Sequence, residues 1–194
     1  MNIKSDRMNN RIFERVREED EQKLWEDLGR YWAILNLDPT GFTRTTAKYG
    51  IVYYLKLLGN LRDMAGPVMT QHDAIKWKPK ADNLYACFQH PDRALEAAIA
   101  MNQVLADSGL MIGDNEPWAV AIGIGYGQML DAGDDGMYGH EVNLSYKLGE
   151  DIASGGEILL TEKSYQALTV SGYEFERCSE TVSKYQLNYY KLLY

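Results

Sequence analysis

Polar and apolar residues alternate along the 194-residue chain in two rhythms, one of helical spacing and one of short unbroken runs. Between Arg11 and Arg30, Ile12, Phe13, Val16, Leu24, Trp25 and Leu28 recur among charges, which predicts an amphipathic helix. Tyr31 to Leu37 (YWAILNL), largely apolar, reads as a short buried strand stopped by the turn-forming Asp38-Pro39-Thr40-Gly41. Helical spacing returns from Thr43 to Met69, with Tyr54, Leu57, Leu58 and Leu61 on one face. Gly50 and Gly66-Pro67 punctuate it, so two successive helices are expected. Ala74–Lys78 and Asn83–Phe88 predict two strands of a hairpin around Pro79-Lys80-Ala81-Asp82. Pro91 to Leu105 is an Ala-rich helix opened by Pro-Asp, and Trp118 to Leu130 is expected to be a buried strand that bends back on itself.

Beyond a Gly133–Gly139 loop, Glu141 to Ala153 predicts a helix closed by Gly155-Gly156. Glu157–Leu160 follows as a strand, and Tyr173–Arg177 with Leu187–Leu192 as a final hairpin. The tyrosine-rich end (YYKLLY) is expected to be an edge strand with packed rings. The order is β-α-α-β-β-α-β with an extra C-terminal helix and strands, an α+β class of ferredoxin-like type. The chain divides into a helical extension (1–30) and one domain (31–194), without repeats or low-complexity stretches.

Composition narrows the chemistry. A net charge of −8 argues against nucleic acid as a partner, because such binding depends on clustered Lys and Arg. No apolar run approaches the roughly 18 residues of a membrane span, and the polar first ten residues lack the apolar core of a secretory signal, so a cytoplasmic protein with no membrane contact is expected. Cys87 and Cys178 lack metal-ligand spacing and are expected to be reduced core thiols. Gly123-x-Gly125-x-Gly127 lies inside an apolar strand and has the wrong spacing for a dinucleotide fingerprint, so it is taken as structural. His140 is expected at the start of a helix rather than in a metal site, and the chain's three histidines suggest no nucleophilic triad.

What the pattern does bring together is a pair of carboxylates. In a ferredoxin-like sheet the first and third strands are antiparallel neighbours, so the end of one lies beside the start of the other. Asp38 and Asp82 occupy those points. Two carboxylates at one sheet edge, next to a Gly turn that opens a helix, can hold a metal pair about 3.5–4 Å apart together with a triphosphate. Taken singly, Asp38 would be a helix cap and Asp82 a turn residue.

Four segments in order resemble the class III adenylate and guanylate cyclases. Asp38-Pro39-Thr40-Gly41-Phe42-Thr43 resembles their D-x-x-G-F-T opening and Lys78-x-x-Ala81-Asp82 their K-x-x-G-D hairpin. Gly139-His140-Glu141-Val142-Asn143 with Lys147 is similar to G-x-x-V-N-x-x-x-R, and Gly155 to Thr161 to the G-x-I-L-x-S/T strand after it. The resemblance implies a class III cyclase fold in a head-to-tail homodimer that closes a nucleoside triphosphate, ATP or GTP first, to a 3′,5′-cyclic nucleotide and pyrophosphate as a signalling messenger. Two Mg²⁺ or Mn²⁺ per site would be held by Asp38, Asp82 and the Pro39 carbonyl. The amides of Thr40, Gly41, Phe42 and Thr43 would receive phosphate oxygens.

The resemblance further implies that the partner chain supplies Lys78 to the base, Asn143 to the ribose and Lys147 where the family has a transition-state arginine. Lacking the bidentate fork, Lys147 implies slower turnover. Lys184 stands where a terminal-phosphate lysine is usual. Gly136 occupies the place of the base-reading aspartate, with Asp135 beside it as the candidate substitute. That gap leaves open a pyrimidine cyclase of the antiphage signalling kind, and a degenerate nucleotide-sensing or dimerising module.

Overall fold

The computed structural model describes residues 11–113, 116–182 and 185–194. Two short helices come first, α1 (Arg11–Glu18) and α2 (Glu21–Leu28), where one was expected; the Asp20 carboxylate accepts from the Gln22 N–H and starts the second helix afresh. Strand β1 (Gly29–Pro39) is followed by α3 (Phe42–Tyr49) and α4 (Ile51–Gln71), divided at Gly50, whose φ of +84° ends the first helix. The Gly66-Pro67 pair does not end α4. Pro67 sits on its solvent face, while Val68 and Met69 continue the buried stripe.

The hairpin consists of β2 (Lys76–Lys80) and β3 (Asn83–Phe88), and α5 (Pro91–Ser108) follows. Two residue pairs, β4 (Met111–Ile112) and β5 (Glu116–Pro117), form a small separate ladder that the sequence did not signal. Strand β6 (Val120–Asp131) runs straight instead of bending back, because it pairs with β1 from Gly29↔Leu130 to Pro39↔Val120. A 3₁₀ turn (Gly133–Asp135), β7 (Met137–Tyr138) and α6 (His140–Lys147) come next. The helix expected to reach Ala153 changes into a π-helical turn at Leu148–Ile152. Finally come β8 (Ile158–Thr161), α7 (Glu162–Gln166), β9 (Glu174–Val182) and β10 (Tyr185–Leu193).

The main sheet runs β2-β3-β1-β6-β8-β10-β9, with β7 on β6; β6–β8 is parallel and the other pairs are antiparallel. β10 is therefore an interior strand and β9 the edge, contrary to the expectation for the tyrosine-rich end. Its Tyr190 ring stacks on Tyr165 of α7 at 3.6 Å. Because strand side chains alternate between faces, Ala33, Leu35 and Leu37 join α4 and α5 in the main core. Ile34 packs on the other face with Tyr85, Cys87, Met129 and Val142, under α6. Cys87 is a buried core thiol as expected, whereas Cys178 is half-exposed on β9.

The Gly123-Gly125-Gly127 series lets α6 descend onto the second face. A Cβ at Gly123 would come within 2.0 Å of the Ser145 carbonyl oxygen, and one at Gly125 within 2.3 Å of that of Glu141. Glu141 is buried there, its carboxylate accepting from the Thr161 hydroxyl (2.7 Å), with Lys163 Nζ at 3.5 Å. These contacts fix α6, and with it Asn143 and Lys147, relative to β6 and β8.

Candidate functional site

β1 and β3 pair as far as Leu37↔Leu84, one residue short of Asp38 and two short of Asp82. Both carboxylates emerge where the ladder ends and line one cleft of about 450 Å³ with Pro39, Thr40, Gly41, Phe42, Thr43, Arg44, Ala121, Glu150 and Ala153. The loop before α3 is held from below: the Thr40 N–H and hydroxyl both donate to the Ala119 carbonyl (3.0 Å each). The Trp118 indole N–H donates to the Thr40 carbonyl at 3.1 Å, and the Tyr54 hydroxyl to that of Pro39 at 3.4 Å.

The Thr40 amide is thus committed to Ala119. The amides with no intrahelical acceptor are those of the first α3 turn, beginning at Phe42 and Thr43, after Gly41 at φ +84°. Phe42 and Thr43 line the same cleft as the carboxylates.

Burial, then Asp82, Glu150 and Asp151, push the Asp38 carboxyl up to about 7. Glu150 is also raised, by burial, then Asp151 and Asp82. An anionic cluster that resists ionising is relieved by a cation, and oxygen-only donors suit Mg²⁺ or Mn²⁺. Among the described residues no three carboxylate, imidazole or thiol groups stand together to hold an ion by themselves. Magnesium usually takes one or two carboxylates and completes its shell with substrate phosphates and water, so the donor set fits that ion when a triphosphate is bound.

Asn143 is exposed on α6, and Lys147 is ion-paired with Asp151 at 2.6 Å. Lys78, on β2, is ion-paired with Asp134, whose carboxyl is held below the usual range by that hydrogen bond. None of Asn143, Lys147 and Lys78 lines the Asp38–Asp82 cleft of the same chain. Asp135, expected beside Lys78, instead accepts from the Ile12 N–H of α1 at 3.4 Å, and Asp134 takes its place. Lys184 lies outside the described residues.

Sequence reasoning missed two residues that line the cleft, Glu150 and Arg44, and one buried beside the end of β1, Asn36. Glu150 was hidden in what looked like an ordinary amphipathic helix; the π turn brings it to the carboxylates, where the Asn83 amide donates to it. Arg44, one residue beyond the D-x-x-G-F-T match, is given no role by the resemblance. Asn36, fully buried two residues before Asp38 but not among the cleft's lining residues, has no hydrogen-bond partner for its amide among the described residues.

The topology and the cleft together define a fold, that of the class III adenylate/guanylate cyclase catalytic domains. The guanylate cyclase domain of RhGC from Catenaria anguillulae, in complex with GTP, superposes with a TM-score of 0.71 at 16% identity over 84% of this chain and 96% of that one. The adenylate/guanylate cyclase/hydrolase from Silicibacter pomeroyi gives 0.69 at 23% identity, covering 85% and 97%. The adenylyl cyclase CyaB from P. aeruginosa gives 0.69 at 20%, covering 85% and 94%. No family model and no curated protein sequence matches the chain.

Proposed function

We propose that this chain is a nucleotidyl cyclase that converts a nucleoside triphosphate into its 3′,5′-cyclic monophosphate and pyrophosphate. The observation that carries the reading is the meeting of Asp38 and Asp82 in one cleft, facing the start of α3, in a fold shared with adenylate and guanylate cyclases. In the reaction the ribose 3′-hydroxyl gives its proton to water as its oxygen attacks the α-phosphorus, the bond from that phosphorus to the β-bridging oxygen breaks, and pyrophosphate leaves with the electron pair. Asp38 and Asp82, with the Pro39 carbonyl, would hold a Mg²⁺ or Mn²⁺ pair, which would supply Lewis acidity at the reacting phosphate. The Gly41, Phe42 and Thr43 amides receive phosphate oxygens, and the Trp118, Tyr54 and Ala119 contacts keep the loop in place beforehand.

The remaining groups come from a second copy. Lys78, Asn143 and Lys147 sit away from their own chain's carboxylate cleft, which favours a head-to-tail homodimer with two sites at the interface. There Asn143 orients the ribose, Lys147 neutralises charge developing on the phosphorus, and Lys78 with Asp134 faces the base. Lys147 must first leave Asp151, an exposed helical pair worth about 0.3–0.5 kcal/mol.

The test is product analysis with ATP, GTP, CTP and UTP in Mg²⁺ and in Mn²⁺. One cyclic product is expected from the wild type, with turnover reduced at least about 100-fold in Asp38→Asn and in Asp82→Asn. A cyclic pyrimidine product would assign the messenger to the second class of substrate. Binding of triphosphate without turnover by the wild type would overturn the enzymatic reading in favour of a nucleotide-sensing module.

A further inference from the structure

Arg44 lines the cleft that holds Asp38 and Asp82, and it is the one cationic side chain among the lining residues, which include three carboxylates. Its guanidinium lies against the Cα of Gly41: a Cβ built there would come within 3.0 Å of Nε and 3.2 Å of Nη2. The fork is thereby held over the loop whose amides open α3. On its other side it is ion-paired with Glu116 of β5. Both partners are about half exposed, at 57% and 48%, and such a pair is worth about 0–1 kcal/mol. A phosphate group, with more charge and three acceptor oxygens, competes well for a guanidinium held so weakly.

The charge of the cleft favours such a group. Asp38, Asp82 and Glu150 give its lining three carboxylates against one cation. A triphosphate entering it needs positive charge at its far end as well as at the reacting phosphorus. Lys147 is tied to Asp151 and lies outside the cleft of its own chain.

We propose that Arg44 is a substrate-binding residue that takes the terminal phosphates of the triphosphate and the pyrophosphate left after reaction, and that Glu116 holds its guanidinium over Gly41 until a phosphate displaces it. The proposal rests on the cyclase reading for the presence of a triphosphate, but its binding step needs neither a base nor a second chain's catalytic groups. Arg44 then contributes affinity for the leaving group, and so acts mainly on KM and on inhibition by pyrophosphate.

Calorimetric titration of the full chain with tripolyphosphate and with pyrophosphate, in Mg²⁺, tests this directly. Arg44→Ala is expected to weaken both by roughly tenfold or more, Arg44→Lys to be intermediate, and Glu116→Gln to tighten both a few-fold. Equal affinities in wild type and Arg44→Ala would overturn the assignment while leaving the cyclase reading intact. Failure of the wild type to bind either polyphosphate would overturn both. Arg44→Lys keeps the charge on an exposed position, so it serves if the alanine variant does not fold.

Discussion

At residue scale, the Asp38 carboxyl dominates the electrostatics of the cleft. Its ordinary value of 3.8 is pushed up to about 7 by burial and by Asp82, Glu150 and Asp151, so the folded chain keeps this proton after the unfolded chain has lost it. Stability is therefore highest below about pH 4 as far as this group is concerned, and is lost as pH rises through about 7. Since the group is only partly buried, solvent screening brings the loss to the order of 1 kcal/mol. In EDTA, the thermal midpoint is expected to fall between pH 5 and pH 8, with a smaller fall in Asp38→Asn and a recovery on adding Mg²⁺. An unchanged slope in Asp38→Asn would contradict the assignment. A second prediction concerns Ala81, which holds φ +55° in the hairpin next to Asp82. Ala81→Gly is expected to stabilise the chain by about 1 kcal/mol in chemical denaturation, because an L side chain is strained in that region. The sequence made Asp38 and Asp82 visible through turn chemistry and motif spacing. It could not separate Asp134 from Asp135, since only the path of the 3₁₀ turn decides which of two adjacent carboxylates meets Lys78.

Elements were legible where hydrophobic period and punctuation agree. Gly50 divides α3 from α4, and α5 starts where Pro91-Asp92 put it. The β2–β3 hairpin exists as expected, but its first strand is shifted two residues to Lys76–Lys80, with Pro79 and Lys80 paired in the ladder and only Ala81-Asp82 left in the turn. Legibility failed where tertiary contact overrides local signal. Pro67 is tolerated because it lies on the outer face of α4, and the three glycines do not bend β6 because their missing side chains make room for α6. The π turn after α6 carries no composition cue at all. Because a Cβ at Gly123 would sit 2.0 Å from the Ser145 oxygen and 2.7 Å from the Gly149 nitrogen, Gly123→Ala must lift α6 and the π turn from the sheet. We expect a loss of about 2–4 kcal/mol in denaturant unfolding, with turnover falling further than stability alone explains. A variant with wild-type stability would show that α6 is not seated as described.

For the whole molecule, the fold class and the β1–β3 pairing were readable from the chain, because β-α-α-β-β-α-β admits few topologies, whereas the placement of the C-terminal strands was not. The separation of the site into two halves was implied by resemblance alone. In three dimensions the half with Asp38 and Asp82 and the half with Lys78, Asn143 and Lys147 do not share a cleft within one chain. No helix among the described residues is long and apolar enough to cross a membrane. A divided site has a distinctive signature when two differently disabled copies are mixed. Asp82→Asn and Lys147→Ala should each turn over a small fraction of the wild type. Combined at equal concentration and allowed to exchange, they form mixed dimers in which one interface holds intact Asp82 opposite intact Lys147. By random pairing about one quarter of wild-type turnover should return. Recovery near that level is the predicted result, and a mixture that stays inactive while mixed dimers are shown to form would contradict the account.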